Sequence, residues 1–354
     1  TQSLRLSGLK LSQKVNQLLS TIEEEVADPH ALLQLKVPHG GANMKQWYVG
    51  VDGGGTKTAV AISTADSVPI QTMTYPTCSY QSIGIPESVA LITKVVREAL
   101  SGGGVSPQDC AGCCVGMPCY GENPANDREI VRLLTDALTP VPVYVVNDGE
   151  VGWAGSLACG EGIHIVSGTG SIAFGRGCDK EFARCGGWVE FFGDEGSCYW
   201  IGRQGMSLFS KEADGRLPRG PLYDLVHGEF GLTEDYQFID RIVRDFAPYR
   251  EKVAGFQRYV LQAARAGDTA AAALYETAAL ELALMIRTLK AKLRFSAEPI
   301  SVSYSGGIFH AGEFILAPLR KKAEELNCIL CEPKYSATEG ALMLAMERFP
   351  LSPS

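Results

Sequence analysis

From Trp47 onward, apolar and polar residues alternate in short runs with the two-residue period of half-buried strands. Strands are expected at 47–52 and 58–64 and near 69–75, forming a meander punctuated by glycine and by Pro76. The period then lengthens to that of a helix at about 86–101, opened by Pro86 and stopped by three glycines. "AGCCVGM" (111–117) reads as a buried strand and "NPANDREIVRLLTDAL" (123–138) as a helix. "VPVYVVND" (141–148) reads as a second buried strand, ending in Asp148, and a short helix follows.

The pattern then restarts. "GIHIVSGTGSIAFGRG" (162–177) is again strand, glycine-bearing turn, strand. Helical periodicity dominates from about 196 to 296, most strongly in "DTAAAALYETAALELALMIRTLKAKLRF". "PISVSYSGGIF" (299–309) is a strand ending in a glycine pair, before a helix at about 311–326, a strand at 328–331 and a helix at 336–348. Strands alternating with helices after an opening meander indicate an α/β fold with mixed sheets, and the restart indicates duplication. Residues 1–43 read as an extension, with an amphipathic helix from Leu9 to Val26 and a linker in "VPHGGAN".

Composition narrows the function classes. With 354 residues and 45% hydrophobic content, two domains are expected. A net charge of −8 argues against a nucleic-acid surface. No apolar run reaches the roughly 20 residues that span a bilayer, so no transmembrane helix is expected. The first residues lack the compact apolar core of a secretory signal. Eleven scattered cysteines read as reduced, mostly buried thiols in a cytosol. The C-x-x-C spacing at Cys110 and Cys113 admits a metal site, but the segment looks like a strand and no second pair sits at a zinc-like spacing.

The candidate chemistry lies in the turns. "VDGGGTKT" (51–58) offers backbone N–H groups to an anion such as phosphate, yet it lacks the Gly-Lys pair of a Walker A loop and runs into a strand. "GTGSIA" (168–173) satisfies a loosened dinucleotide fingerprint, but it too continues as a strand rather than a helix. What remains there is a tight turn of glycines and hydroxyls, suited to phosphate or sugar and equally open to a plain hairpin reading. With Gly306-Gly307 as a third glycine turn, the set suggests a nucleotide held between two halves of the chain.

"GVDGGGTKT", "VVNDGEVGWAGS", "IVSGTGS", "CGGWVEFFGDEGSCYWIG" and "SYSGGIF", in that order, resemble the N-acetylglucosamine kinase branch of the BadF/BadG/BcrA/BcrD ATPase family, within the actin/sugar-kinase/Hsp70 superfamily. The resemblance covers about residues 47–348. It implies a two-lobed actin-like (ribonuclease H-like) α/β fold with ATP in the interdomain cleft. The domains would be 44–157 and 158–335, with 336–354 returning to the first.

The same resemblance implies roles. Asp52 would hold Mg²⁺ through water. Gly53, Gly54, Gly55, Thr56 and Thr58 would cradle phosphates, with Lys57 a charge partner or merely solvent-facing. Gly168, Thr169 and Gly170 would face them, and Gly306 and Gly307 the adenosine. Asp148 would be the general base, although by position alone an Asp there caps a helix well. Ser79, Asp148, Thr169, Cys185, Gly187, Trp188 and Asp194 would surround an amino sugar, with Glu195 structural. Ser79 stands where the branch often carries Asn, which leaves N-acetylglucosamine, glucosamine and N-acetylmuramic acid all open. His164, Trp153 and the aromatics of the helical region are assigned to core or surface.

The expectation is a cytoplasmic, homodimeric, Mg²⁺- and ATP-dependent kinase acting at a sugar 6-hydroxyl, without nucleic-acid or membrane partners. The alternatives are an ATPase that activates a reductase or dehydratase, and a non-catalytic sugar or nucleotide sensor.

Overall fold

The computed structural model describes residues 47–65 and 71–351; the expected N-terminal extension lies outside the described residues. The first sheet contains β1 (Trp47–Gly53), β2 (Lys57–Thr64), β3 (Gln71–Pro76), β4 (Cys110–Met117) and β5 (Val143–Asn147). Its order is β3-β2-β1-β4-β5, antiparallel from β3 to β1 and parallel from β1 to β5. The second contains β6 (Gly162–Ser167), β7 (Ser171–Arg176), β8 (Phe182–Gly186), β9 (Ile300–Ser305) and β10 (Cys328–Cys331). Its order, β8-β7-β6-β9-β10, repeats the first with the same strand directions.

Alternation sorts the first sheet's side chains onto two faces. Val49, Val51, Val60 and Ile62 pack with Ile92 and Val96 of α2 (Ile85–Gly102) and with Ile130 and Leu134 of α3 (Pro124–Leu138). A short α1 (Tyr80–Ile83) precedes α2. Tyr48, Ala61, Cys114 and Val146 point the other way, onto α4 (Asp148–Leu157) and α12 (Ala337–Arg348). Burying each such aliphatic side chain is worth about 1.5–3 kcal/mol relative to exposure. Phe174 of β7 joins this second cluster, so α4 touches both sheets.

Glycine makes the α4–α12 crossing possible. A Cβ on Gly155 would overlap the Ser336 carbonyl, and one on Gly340 would overlap the Val151 carbonyl. The chain's last helix also covers β1: a Cβ on Gly50 would lie 2.6 Å from the Leu342 nitrogen. Just past the helix, the Phe349 carbonyl accepts a hydrogen bond from Tyr48 Oη at 2.8 Å.

The expected helical stretch, inserted between β8 and β9 of the second sheet, resolves into six helices: α5 (Cys198–Ala213), α6 (Pro221–Phe230), α7 (Gln237–Asp245), α8 (Arg250–Gly255), α9 (Gln257–Arg265) and α10 (Thr269–Lys292). A short 3₁₀ turn (Gly307–Ala311), α11 (Glu313–Glu325) and β10 lead on to α12.

Three expectations change. β8 was not foreseen, because five residues ending in a glycine pair carry little alternation. Asp148 is the first residue of α4 rather than the last of a strand. And α10, at 24 residues, is long and apolar enough to cross a membrane by length and composition. In the fold it buries Tyr275, Leu282, Ile286 and Leu289 in the core of the second sheet.

His164 and Trp153 are core residues. His164 lies between Ser303 Oγ (2.8 Å) and Ser305 Oγ (3.0 Å), and burial pushes it down to about 3, so the ring is neutral. Trp153 meets Phe182 edge-on at 4.8 Å. Cys110 and Cys113 are buried on the side of β4 facing α2 and α3; among the described residues no cluster of three potential metal ligands occurs.

Candidate active site

The first glycine turn joins β1 to β2, closed by the Gly54 N–H donating to the Lys57 carbonyl at 2.7 Å. Gly53 and Thr58 are buried, while Gly55, Thr56 and Lys57 are exposed. Nothing lies within 4 Å of where a Gly55 Cβ would be, so the tip is open to a ligand. Thr77 ties the loop after β3 to this turn: its Oγ1 donates to the Gly54 carbonyl at 2.9 Å and accepts from the Ser79 N–H at 3.1 Å. Ser79 is therefore held beside the turn, itself buried.

Asp52 stands next to last in β1, where burial pushes its carboxyl up to about 6 against the pull of Lys57. Asp148 begins α4 at the end of the parallel strand β5. The cap expected of Asp148 is made by Asn147 instead. Asn147 Oδ1 accepts from the Gly149 N–H at 2.9 Å, its amide donates to the Tyr120 carbonyl at 2.8 Å, and Glu150 completes a capping box. Asp148 keeps a contact from the same Gly149 N–H at 3.1 Å. Burial first, and then the negative charge of Asp52, raise it to about 7. Asp148 thus senses Asp52 across β4, which lies between β1 and β5, and Cys78 senses both carboxyls.

The second turn joins β6 to β7, with the Gly168 N–H donating to the Gly170 carbonyl at 2.9 Å. The third turn is built against it. Gly306 has φ +112°, and a Cβ there would overlap Ser167 and lie 2.8 Å from the Gly168 nitrogen. The start of α5 docks on the same turn, as the Cys198 N–H donates to the Gly168 carbonyl at 2.9 Å. Gly307 and Cys198 also approach there.

The segment expected to face the sugar divides. The Gly187 N–H donates to the Ser171 carbonyl at 2.9 Å, and Cys185 pairs with Ala173 across β7–β8. Asp194 is only 3% exposed, at φ +57°, beneath the second turn. Its Oδ1 accepts from the Ser171 N–H at 3.1 Å and its Oδ2 pairs with Arg250. So Asp194 is engaged within the protein rather than open to solvent. Trp188, in contrast, is 66% exposed and stands clear of the turn. Glu195 contributes its carbonyl to Ser171 Oγ at 2.7 Å.

The structure therefore assembles two groups of expected residues: Asp52, the first turn, Ser79 and Asp148; and the second turn, Gly306-Gly307, Cys185, Gly187 and Asp194. Arg184 of β8 faces Glu122 from the loop after β4 at 3.9 Å, linking them. Cys119 senses Glu122, Asp148, Arg250 and Arg184 together. Asn147, Thr77 and Arg250 were not anticipated. The Asn147-x-x-Glu150 capping box was readable; Arg250 left no periodic trace.

A family model for the BadF/BadG/BcrA/BcrD ATPase family matches residues 49–345. The chain belongs to that family. An N-acetylmuramic acid/N-acetylglucosamine kinase of Clostridium acetobutylicum is 28% identical over 281 residues, covering 78% of this chain and 90% of the relative. An N-acetyl-D-glucosamine kinase of Dictyostelium discoideum is 26% identical over 320 residues, covering 85% and 98%. Among solved structures, a Chromobacterium violaceum protein provisionally named an N-acetylglucosamine kinase aligns with TM-score 0.66 at 24% identity, covering 85% of this chain and 99% of its own. A ROK family glucokinase from Streptomyces griseus, solved with glucose and AMPPNP, aligns with TM-score 0.52 at 17% identity, covering 85% and 99%. At those identities the structures establish the shared fold alone: two mixed five-stranded sheets with helices packed on them.

Proposed function

We propose that this family member is a cytoplasmic ATP-dependent kinase that phosphorylates an amino sugar of the N-acetylglucosamine type at its 6-hydroxyl. The observation that carries the reading is Asp148. It opens a helix capped by its neighbour, in a recess with Asp52, with a proton affinity near neutrality. A general base works best when its pKa lies close to the working pH. The names of the curated relatives support the sugar; the matched family supports ATP.

In this reading the sugar is held by Ser79, Cys185, Gly187 and the second turn, including Thr169, with Trp188 closing on the ring. Asp148 takes the proton of the attacking hydroxyl. The phosphates lie between the open tip of the first turn (Gly54 to Lys57, with Gly53 and Thr58 as its base) and Gly168–Gly170, and the adenosine lies toward Gly306 and Gly307. Hard carboxylate oxygens suit Mg²⁺, and Asp52, half-buried and close enough for its charge to act on Asp148, fits such an ion. Asp52 would hold it through water, and the ion would offset phosphate charge. Closure of the two sheets' domains, 44–157 with 336–354 against 158–335, would exclude water. A homodimer is part of the proposal.

The test is turnover of Mg-ATP with N-acetylglucosamine, glucosamine and N-acetylmuramic acid, for wild type and Asp148→Asn. Loss of the base should lower kcat by about 10²–10⁴. Phosphorylation of none of the three sugars by the wild type would refute the proposal.

A further inference from the structure

Arg250 lies far in sequence from the proposed site, at the start of α8, and reaches two carboxylates of the 187–197 segment at once. Its Nη2 pairs with Asp194, and its Nε lies 3.1 Å from Glu190. Asp194 uses its other oxygen on the Ser171 N–H, at the point where the second turn enters β7. Gly170 makes room for the pair. A Cβ there would lie 2.6 Å from Arg250 Nη2 and 2.7 Å from Asp194 Oδ2. The glycine therefore serves an ion pair as well as any ligand.

Glu190 sits within a run whose apolar members face solvent: Trp188, Val189, Phe191 (86% exposed) and Phe192. Val189 has φ +72°, a conformation a β-branched residue adopts only under constraint. One guanidinium thus fastens both ends of this segment, its tip through Glu190 and its base through Asp194.

We propose that Arg250 is a positioning residue for sugar recognition: it clamps Asp194 beneath the second glycine turn and Glu190 at the tip of the aromatic segment, and so fixes the wall against which the sugar packs. The proposal rests on the amino-sugar kinase reading. The charged groups facing this clamp are Asp194 and Glu190 themselves, and Arg250 also acts on Cys119, where Arg184, Glu122 and Asp148 converge. Without the guanidinium, Asp194 is a buried carboxylate with only one backbone donor. It must then take up a proton or turn outward, and either frees the second turn. A lysine would restore charge at Asp194 but cannot fork to both carboxylates.

The experiment uses the full chain with Arg250→Ala, Arg250→Lys and the variant of the half-buried partner, Glu190→Gln. Carboxyl NMR follows the titration of Asp194, and kinetics separate the KM of the amino sugar from that of ATP. In Arg250→Ala, Asp194 is expected to titrate at a pH higher by about one to three. The sugar KM is expected to rise about tenfold or more while the ATP KM moves less than about twofold. Arg250→Lys should restore the titration and only part of the sugar KM; Glu190→Gln should raise the sugar KM while moving the Asp194 titration down, opposite to Arg250→Ala, because the Glu190 charge helps to raise it. An unmoved Asp194 titration in Arg250→Ala, or sugar and ATP KM values rising together, overturns the clamp. Should the wild type phosphorylate no amino sugar, the kinase reading falls, and the Asp194 titration still decides whether the clamp exists.

Discussion

Asn147 caps the helix that Asp148 begins. The division of labour lets the two adjacent residues be tested separately. Asn147→Ala should lose about 1–2 kcal/mol of stability, since it removes the cap and the tie to Tyr120. Thermal melting of that variant measures the loss. Asp148→Asn should melt no lower than wild type while losing turnover, because an amide relieves a buried charge without touching the cap.

The two recessed carboxyls give a pH signature. Asp148 rises from 3.8 to about 7 and Asp52 from 3.8 to about 6, so the folded chain holds protons that the unfolded chain has released. The stability they contribute is full below about pH 4 and is lost as pH climbs through 6 to 7. Melting temperatures of Asp148→Asn and wild type should therefore coincide near pH 4 and separate in favour of the variant by pH 8. Turnover should run the opposite way, with kcat/KM falling as pH drops below about 7 and the base becomes protonated.

The glycines of the two turns answer to different constraints. Gly55→Ala adds a methyl where nothing lies within 4 Å, so stability should change by less than about 0.5 kcal/mol. Its cost should appear in the ATP KM. Gly170→Ala drives a methyl into Arg250 and Asp194 and should cost about 1–3 kcal/mol of stability. A melt of each variant beside its ATP titration separates the two cases.

A second titrating group lies away from the proposed site. Glu212 is buried at the end of α5, and burial, then the charge of Asp268, raises it to about 7. Its Oε1 accepts from the Gly220 N–H at 3.2 Å. Glu212→Gln keeps that acceptor and removes the charge. The variant should match wild type near pH 4 and melt higher at pH 8, with kinetics unaltered. A melting difference that failed to grow between those two pH values would show that Glu212 stays charged.

Strand and helix order was readable because period and glycine punctuation agree along most of the chain. Where the sequence misled, a local rule met a longer-range one. Asp148 looked like the better cap, yet Asn147, with Glu150 three residues on, supplies a reciprocal pair. The resemblance put Asp194 beside the sugar, and a guanidinium from α8 pairs with it under the turn. Such a contact between residues 56 apart leaves no pattern in either segment.

The crossing of α4 and α12 has a consequence for the order in which the protein can form. β1 is made long before α12, and its Gly50 face is covered by Leu342, while Tyr48 bonds to Phe349, 301 residues later. Contacts of such long range close slowly and leave apolar strands uncovered while they wait. During synthesis the second sheet can gather its own core from neighbouring helices, but one face of the first stays bare until the final helix arrives. Completion of the first sheet thus waits on α12 rather than on its own strands.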